Sequence, residues 1–443
     1  MRAFRFMNGL LVLLVLLAPI SRARADEVPP SDGPPSTGAE ANERTEYVTQ
    51  TDLQGVRAEL ETLREQWTRT LDKNTAQTSR PLTVGGIAQV RYTASENKKV
   101  NNSFDIAALI LNFRGNLRKD YEEGRNVDYL FSFVSPSGAN ANGSADFTVR
   151  PLDAYISYFL LPSLDFEKPL LSITLGQQKK PFGLEALATE EKKPTIKSAQ
   201  SATTLGLDPR DIGLVVKGDL FPYYDAGFRY RVPLVEYSVG LLNGSGPNAT
   251  DDNGHKDVSG RVVLNAPVDY NSIFRGLSLG GSAYLGRQNV GVGTAVAQQG
   301  AKNRYGVDLA YVNTPVGFTA EYVRGEDGKL LSGTSVDNAV FGKIQSEGFT
   351  FTVFYNFGEQ FLRGFKAQDR YDDWYPLTFQ PFVRFDRWDP NLKAGGDRID
   401  ITTLGFNWFF AETTKLQLNY NNKKQQGVNV ANNEFLAQFQ FGF

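Results

Sequence analysis

The residues that could do chemistry in this chain are mostly basic, and they gather around its longest connection. This basic set comprises Lys179, Lys180, Lys192, Lys193, Lys197 and Arg210. Acidic residues of the same segment (Glu185, Glu190, Glu191 and Asp208) nearly balance its charge. Cations at a narrow place can replace the water that an anion loses, and several weak sites let the ion leave again. The set therefore predicts either anion binding or paired charges that only keep a cavity hydrated.

No combination of residues in the sequence predicts catalysis. The only histidine, His255, lies in a polar stretch beside Asp251, Asp252 and Asp257, where a solvated side chain is the ordinary outcome. Residues 251–255 could offer oxygens to Ca²⁺, but the spacing of a full calcium loop is missing. The chain has no cysteine, which excludes disulfides and thiolate metal sites. We therefore expect no enzyme activity, no metal and no cofactor.

The N-terminus predicts export from the cytoplasm. Arg2 and Arg5 precede an apolar run from Leu10 to Ile20, and an Ala-Arg-Ala site ends at Ala25. We predict a signal peptide over residues 1–25, because its apolar run is too short to span a bilayer as a helix. Removing the four arginines of this segment leaves 43 basic against 49 acidic residues. This balance gives no indication of a nucleic-acid partner.

Two segments of different character follow the predicted signal peptide. Residues 26–46 are rich in proline, glycine, serine and acid, which predicts a disordered linker. Residues 47–74 predict an amphipathic helix whose apolar positions recur every three or four residues: Leu53, Val56, Leu60, Leu63, Trp67 and Leu71. About three heptads favour a short coiled coil over a helix packed on its own domain. Because three heptads are marginal alone, the oligomer must be held elsewhere too.

Residues 81–443 predict an all-β domain. Sixteen segments of about ten residues alternate apolar and polar side chains, and turn residues separate them. An even number of strands of this length is typical of a 16-stranded antiparallel transmembrane β-barrel. In this interpretation residues 223–232 belong to a connection, and residues 288–302 and 326–347 are long loops. Long connections follow the odd strands and tight ones follow several even strands, as expected for long extracellular loops and short periplasmic turns.

The two faces of the strands predict where each side chain lies. In the last strand, Phe435, Phe439, Phe441 and Phe443 share the face that we assign to lipid. The opposite faces carry arginine, asparagine, glutamine and aspartate, which suits a wet lumen. The basic residues expected to face the lumen are Arg91, Arg114, Arg118, Lys217, Arg261 and Arg384. The acidic residues expected there are Asp153, Asp308, Glu321 and Asp386.

Several stretches resemble the phosphate-selective porin O and P family. They are residues 175–185 (Leu-Gly-Gln-Gln-Lys-Lys-Pro-Phe-Gly-Leu-Glu), 210–213, 237–244 and 405–420. Within the first of them, Gly-Gln-x-Lys-x-Pro-Phe-Gly is the most specific. The resemblance implies a trimeric sixteen-stranded porin whose third loop folds into the pore, with passive uptake of anions. The phosphate-site residues of the family cannot be aligned one by one beyond this motif.

We therefore predict a homotrimeric porin in the outer membrane of a Gram-negative-type bacterium. Its expected partners are outer-membrane lipid and small anions such as phosphate. A non-selective general porin is one alternative. A structural envelope tether, with the coiled coil reaching toward the cell wall, is another, and a secreted β-rich binding protein is a third.

Overall fold

The computed structural model describes the β-rich domain with short gaps. The described residues are 82–97, 102–118, 127–135, 149–161, 169–189, 192–228, 230–292, 295–334, 336–358, 378–411, 413–427 and 432–443. The predicted signal peptide, linker and coiled-coil helix lie outside these residues.

The described residues form sixteen antiparallel strands in one closed barrel, in which β1 pairs with β16. The strands are β1 (Leu82–Ser95), β2 (Ser103–Arg118), β3 (Val127–Ser135), β4 (Arg150–Leu161), β5 (Leu171–Gln178), β6 (Asp211–Asp225), β7 (Tyr230–Leu242), β8 (Asp257–Asn265), β9 (Leu277–Val292), β10 (Ala295–Val312), β11 (Val316–Ser332), β12 (Val340–Tyr355), β13 (Thr378–Asp389), β14 (Ile399–Phe409), β15 (Lys415–Gln425) and β16 (Glu434–Gly442). The predicted 16-stranded antiparallel β-barrel is confirmed. Because every strand has two neighbours, the ladder leaves no open edge.

The two faces of the wall differ as the sequence pattern predicts. Along β14, Leu404, Phe406 and Trp408 are exposed outward, whereas Thr403 and Asn407 are buried inward. Apolar side chains of this kind form a band around the outside of the barrel, and polar side chains line its interior. Such a band is the surface that a membrane barrel presents to lipid. Among the described residues, none of the helices has the length and apolar character needed to cross a membrane.

The last strand closes the barrel. Phe443 and Gly86 exchange two backbone hydrogen bonds, with N···O distances of 3.0 and 3.1 Å. Phe439 and Phe441 are exposed on the outside, while Leu436 and Gln440 are fully buried on the inside. The assignment of the two faces from sequence is therefore confirmed for this strand.

The assignment of residues 223–232 to a connection was wrong. β6 continues to Asp225 and β7 begins at Tyr230, so these residues form a hairpin. Pro222 and Pro233 each lack the N–H that a strand residue donates to the ladder. They lie directly opposite each other, and pairing continues on both sides of them.

The predicted long loops over residues 288–302 and 326–347 were also mostly wrong. β9 and β10 remain paired up to Val292 and Ala295, and β11 and β12 up to Ser332 and Val340. These parts are rich in glycine and polar residues, which made them resemble loops in the sequence. Backbone pairing needs no apolar side chains where a hairpin extends beyond the lipid band.

Among the described residues, two short helical segments lie in the connections. Helix α1 (Gln200–Thr204) belongs to the connection between β5 and β6, and a 3₁₀ turn (Val336–Asn338) lies between β11 and β12. Only α1 takes part in the site described below.

Candidate functional site

Loop 3, residues 179–210 between β5 and β6, lies inside the barrel. Its described residues contact inward-facing side chains on seven strands from β9 to β16, and its two ends also contact β8 and β4. These wall residues are Ser282, Arg304, Glu321, Arg384, Asn407, Lys415, Gln417 and Glu434, with Ser259 and Asp153 at the two ends of the loop. Loop 3 therefore covers one half of the inner wall, and the half formed by β2–β7 stays open to the lumen.

An apolar cluster holds loop 3 to the wall. Phe182 and Leu205 of the loop are buried together with Tyr284, Val323 and Trp388 of the strands. Burying such side chains is worth about 1.5–3 kcal/mol each. The loop thus has a small hydrophobic core within an otherwise polar lumen.

Two glycines let the loop approach the wall closely. A Cβ at Gly348 would lie 2.4 Å from Cβ of Ser201, and one at Gly325 would lie 2.6 Å from Leu205. The first contact leaves no room for a side chain at Gly348, and the second would require the Leu205 side chain to shift. The absence of side chains at these strand positions therefore sets the distance between α1 and the barrel.

Glu321 of β11 anchors the first turn of loop 3. Its Oε2 accepts the backbone N–H groups of Leu184 at 3.1 Å and Glu185 at 2.7 Å. Ser282 Oγ accepts the N–H of Gly183 at 3.0 Å. Gly183 has a φ of +64°, and a Cβ there would lie 2.4 Å from Oε1 of Glu321. The glycine is therefore needed both for its conformation and for the approach of the carboxylate.

Glu185 ties the middle of loop 3 to β13. Its Oε1 accepts from Arg384 at 3.1 Å and from the N–H of Ala199 at 3.1 Å. Arg384 also donates to Thr195 Oγ1 at 2.7 Å. Burial alone would raise the pKa of Glu185, but Arg384, Lys193 and the Ala199 amide hold that pKa below its ordinary value. Glu185 is therefore held as a carboxylate.

The part of loop 3 around Lys193 and Pro194 is held to the wall through its backbone carbonyls. Lys415 and Gln417 of β15 donate to the carbonyl of Lys193 at 2.9 and 3.3 Å. Asn407 of β14 donates to the carbonyl of Pro194 at 3.0 Å. Sequence reasoning missed Lys415 as a site residue. The signal available was a lysine on the inward face of a strand, and the structure places it 1% exposed.

Two of the predicted loop lysines, Lys179 and Lys180, bind backbone carbonyls of the loop with their ammonium groups. Lys179 donates to the carbonyls of Ala186 at 3.1 Å, Leu187 at 3.3 Å and Ala188. Lys180 is buried and donates to the carbonyl of Gly206. Its burial, and then the nearby Lys302, lower the pKa of Lys180 to about 8. Both ammonium groups therefore hold loop backbone.

The other loop residues of the predicted set differ in their surroundings. Lys193 is buried, donates to Ser198 Oγ at 2.7 Å and lies 3.7 Å from Asp208. Lys197 pairs with Glu434 at 2.6 Å, and Arg210 pairs with Asp153 at 3.1 Å. Lys192 is exposed. Within the described residues it makes no ion pair.

The most specific sequence motif, residues 176–183, forms the root of loop 3. The Gln177 amide donates to the carbonyls of Pro151 and Leu152, both at 3.0 Å. Phe182 is fully buried in the apolar cluster. Lys179 and Gly183 also contribute, through the hydrogen bonds of the lysine and the turn at the glycine. Four residues of the motif, Gln177, Lys179, Phe182 and Gly183, therefore have structural roles.

The predicted lumen-facing cations fall into two groups. Some are bound: Arg91 donates to Gln438 at 2.7 Å, Arg261 pairs with Asp308 at 2.8 Å, and Arg384 pairs with Glu185. Others, Arg114 and Lys217, are exposed to the lumen and make no ion pair in the described part of the chain. Arg118 lies at the end of β2.

The open half of the wall encloses a cavity of about 500 Å³ between loop 3 and strands β3–β8. Lys217 lines it, in register with Ser172 on one side and Ser238 on the other. Arg114 and Asp128 are the charged groups that act on Lys217. Glu236 lines the same cavity and accepts from Asn265 at 3.0 Å. The wall is therefore mixed in charge, and the cations Arg114 on β2 and Lys217 on β6 have no ion pair with any residue that the structure describes.

A second, polar cavity of about 340 Å³ lies between loop 3 and strands β13–β16. Lys197, Lys423 and Glu434 line it together with asparagine and threonine side chains. Ser95 and Asn97, at the end of β1 where the long connections lie, also belong to it. This cavity therefore lies toward the end of the barrel that carries the long connections.

A closed barrel with an apolar outer band, a polar interior and a loop folded inside defines a membrane porin. The sequence profile described as phosphate-selective porin O and P matches residues 86–443. The chain belongs to this family, and it is an outer-membrane porin for passive diffusion. The predicted family resemblance is confirmed.

Solved porin structures are similar to the chain at low sequence identity. A Salmonella typhi OmpF complex with daunomycin matches with a TM-score of 0.54 and 11% identity, covering 82% of this chain and 97% of that one. A mutant of the Rh. blastica porin gives a TM-score of 0.47 and 13% identity, with 82% and 100% covered. Vibrio cholerae OmpT without its loop L8 gives 0.47 and 8%, with 82% and 99% covered. No curated protein matches the chain.

Proposed function

We propose that this porin conducts small anions in preference to cations, and that phosphate is among its solutes. The observation that carries the proposal is the pair Arg114 and Lys217 on the open half of the wall, whose charges face the lumen without an ion-pair partner in the described residues. The family to which the chain belongs supports phosphate as a solute.

The position of these two cations gives them their effect. Most other charges of the lumen cancel over a few ångströms, as Arg210 and Asp153 or Arg261 and Asp308 do. An unpaired cation acts over a longer distance, and at 10 Å in water it favours a monovalent anion by about 0.4 kcal/mol, roughly twofold. Because Glu236 opposes part of this field, the expected anion preference is a few-fold.

Loop 3 supplies the narrowing of the pore in this proposal. Its contacts with β9–β15 hold it against one half of the wall, so solutes pass between the loop and β2–β7. Residues Leu187 and Thr189 of the loop face Lys217 and Tyr155 across the cavity of about 500 Å³. A rigid constriction beside unpaired cations is the arrangement that converts charge into selectivity.

The quaternary structure belongs to the same proposal. We propose a homotrimer embedded in outer-membrane lipid, with residues 47–74 contributing a short coiled coil on the periplasmic side. The exposed apolar band supports the lipid contact, since side chains such as Leu404 and Phe441 are about half exposed there.

The proposal is tested with the purified full-length protein in planar bilayers. We expect stepwise conductance in KCl, and a reduced chloride current when phosphate is added, because both anions use the same cations. A protein without conductance steps would contradict the porin function. Conductance that phosphate leaves unchanged would remove phosphate as a solute while leaving the porin itself intact.

A further inference from the structure

The polar lining of the lumen is interrupted by apolar side chains in the cavity that contains Lys217. Leu130 of β3, Tyr155 of β4 and Val263 of β8 line this cavity of about 500 Å³ from the wall, and Leu187 lines it from loop 3. On the other side of loop 3, the inner faces of β14 and β15 carry mainly asparagine, glutamine and threonine. Water wets an apolar side chain at a cost in free energy, which a solute with an apolar part removes by covering it.

Leu130 and Tyr155 point into the lumen side by side. They lie directly opposite each other in the pairing of β3 and β4, where Cβ atoms are about 4.5–5.5 Å apart. The residues that follow them, Phe131 and Ile156, are exposed on the outer face, and side chains alternate along a strand. Both inward side chains are partly exposed. We call this pair, Leu130 and Tyr155, the apolar surface of the passage.

Cations lie beside the apolar surface. Arg114 of β2 is directly opposite Leu130 on the side away from β4, so the three side chains form one row across the wall. Lys217 lines the same cavity as the apolar surface. A solute in this passage therefore meets positive charge and apolar side chains at the same time.

Carboxylates of the region offset this positive charge in part. Glu236 lies directly opposite Asp219, which follows Lys217 by two residues on the inner face of β6. Asp128 of β3 also acts on Lys217. A small, strongly hydrated anion therefore gains little from charge alone. An anion with an apolar part gains more, because its contact with the apolar surface removes both from water.

We propose that the preferred solutes of this porin are organic anions with an apolar body, such as aryl phosphates, and that inorganic phosphate binds less well. The anionic group lies at Lys217, and the apolar body lies against Leu130 and Tyr155. A cavity of about 500 Å³ is large enough for one such solute. This inference rests on the proposed anion preference and names the class of anion.

The chain offers a matched pair of variants. Leu130→Asn removes one half of the apolar surface and leaves both cations in place. Ile401→Asn is the control, because Ile401 is also partly exposed on an inner face but lines the polar cavity on the other side of loop 3. Tyr155→Gln removes the other half of the apolar surface, and it tests the proposal independently if Leu130→Asn does not fold.

The experiment measures the concentrations of phenyl phosphate and of inorganic phosphate that halve the chloride current of the full-length protein in planar bilayers. It is done at about pH 8, where both anions are mainly doubly charged. We expect phenyl phosphate to act at an about fivefold lower concentration in wild type and in Ile401→Asn. In Leu130→Asn and Tyr155→Gln we expect this ratio to fall to about twofold or less. Stepwise conductance and heat-modifiable migration establish that the variants fold.

Three outcomes would overturn the proposal. Equal concentrations of the two anions in wild type would overturn it and leave phosphate as a solute. A ratio that both Leu130→Asn and Tyr155→Gln leave unchanged would place the apolar contact elsewhere. If neither anion reduced the current, this proposal and phosphate as a solute would fail together, whereas the reversal potential in KCl decides the anion preference separately.

Discussion

The Glu321 carboxylate on the inner face of β11 accepts the backbone N–H of Glu185 at 2.7 Å, and Glu185 in turn binds Arg384 of β13. Two acidic residues 136 positions apart in sequence thus join one loop to two strands of the wall. This relationship explains how a loop of largely irregular structure keeps one position inside a polar lumen.

The first prediction concerns the anchor at Glu321. In Glu321→Ala the N–H groups of Leu184 and Glu185 lose their acceptor, and a hydrogen bond to a charged group is worth about 1.5–3 kcal/mol. We expect loop 3 to move, which increases current noise and brief closures in single-channel recordings. Glu347→Gln is the control, because Glu347 lies on the outer face and contacts Tyr322. Traces as quiet as those of wild type would mean that the anchor is dispensable.

The second prediction concerns the ion pair of Glu185 and Arg384. Arg384→Gln leaves the Glu185 carboxylate, whose side chain is 17% exposed, without its cation, and breaking a buried ion pair in this way costs about 3–5 kcal/mol. We expect this variant to unfold at lower urea concentration than wild type. The double variant Glu185→Gln with Arg384→Gln removes both charges and recovers part of the loss. Additive losses in the double variant would show that the two residues act independently.

The third prediction concerns pH. Because the pKa of Glu185 is held below its ordinary value of 4.5, its contribution to stability is present above pH 4.5 and is lost only as the pH falls below that value. Glu185→Gln lacks this contribution at every pH. We expect the difference in unfolding free energy between the two proteins to be constant from pH 7 to pH 5 and to shrink at lower pH. A difference that already shrinks between pH 7 and pH 5 would contradict a lowered pKa.

The fourth prediction separates charges of the lumen from charges of the outer face. Lys217→Gln removes an unpaired cation from the open wall, and we expect the ratio of anion to cation permeability to fall about twofold. Lys343→Gln removes an exposed cation from the outer face and leaves this ratio unchanged. Equal effects of the two substitutions would show that selectivity arises from the general charge of the protein and not from the wall.

The sequence predicts the barrel well because each strand carries its own signal. Along β13 apolar and polar side chains alternate, with Val383 outward and Arg384 inward. This alternation can be recognised from the strand's own sequence, without knowing which strands lie beside it. The signal fails where the wall leaves the membrane. In the hairpin of β9 and β10, backbone pairing continues through polar and glycine residues that look like a loop.

The candidate site is less predictable, since its geometry depends on distant partners. Lys179 and Lys217 are both lysines that line the same cavity, the first directly after β5 and the second within β6. One ammonium is bound by three loop carbonyls, whereas the other faces the cavity. The difference follows from the path of loop 3, and residues as far apart as Glu185 and Arg384 determine that path.

The most direct test of the account is the reversal potential of the wild-type channel in a KCl gradient, compared with that of Lys217→Glu. We expect the reversal potential of wild type to lie toward the equilibrium potential of chloride, and that of the variant to shift toward the equilibrium potential of potassium. A wild-type potential on the potassium side, or a variant that matches wild type, would contradict the claim that unpaired cations on the open wall select anions.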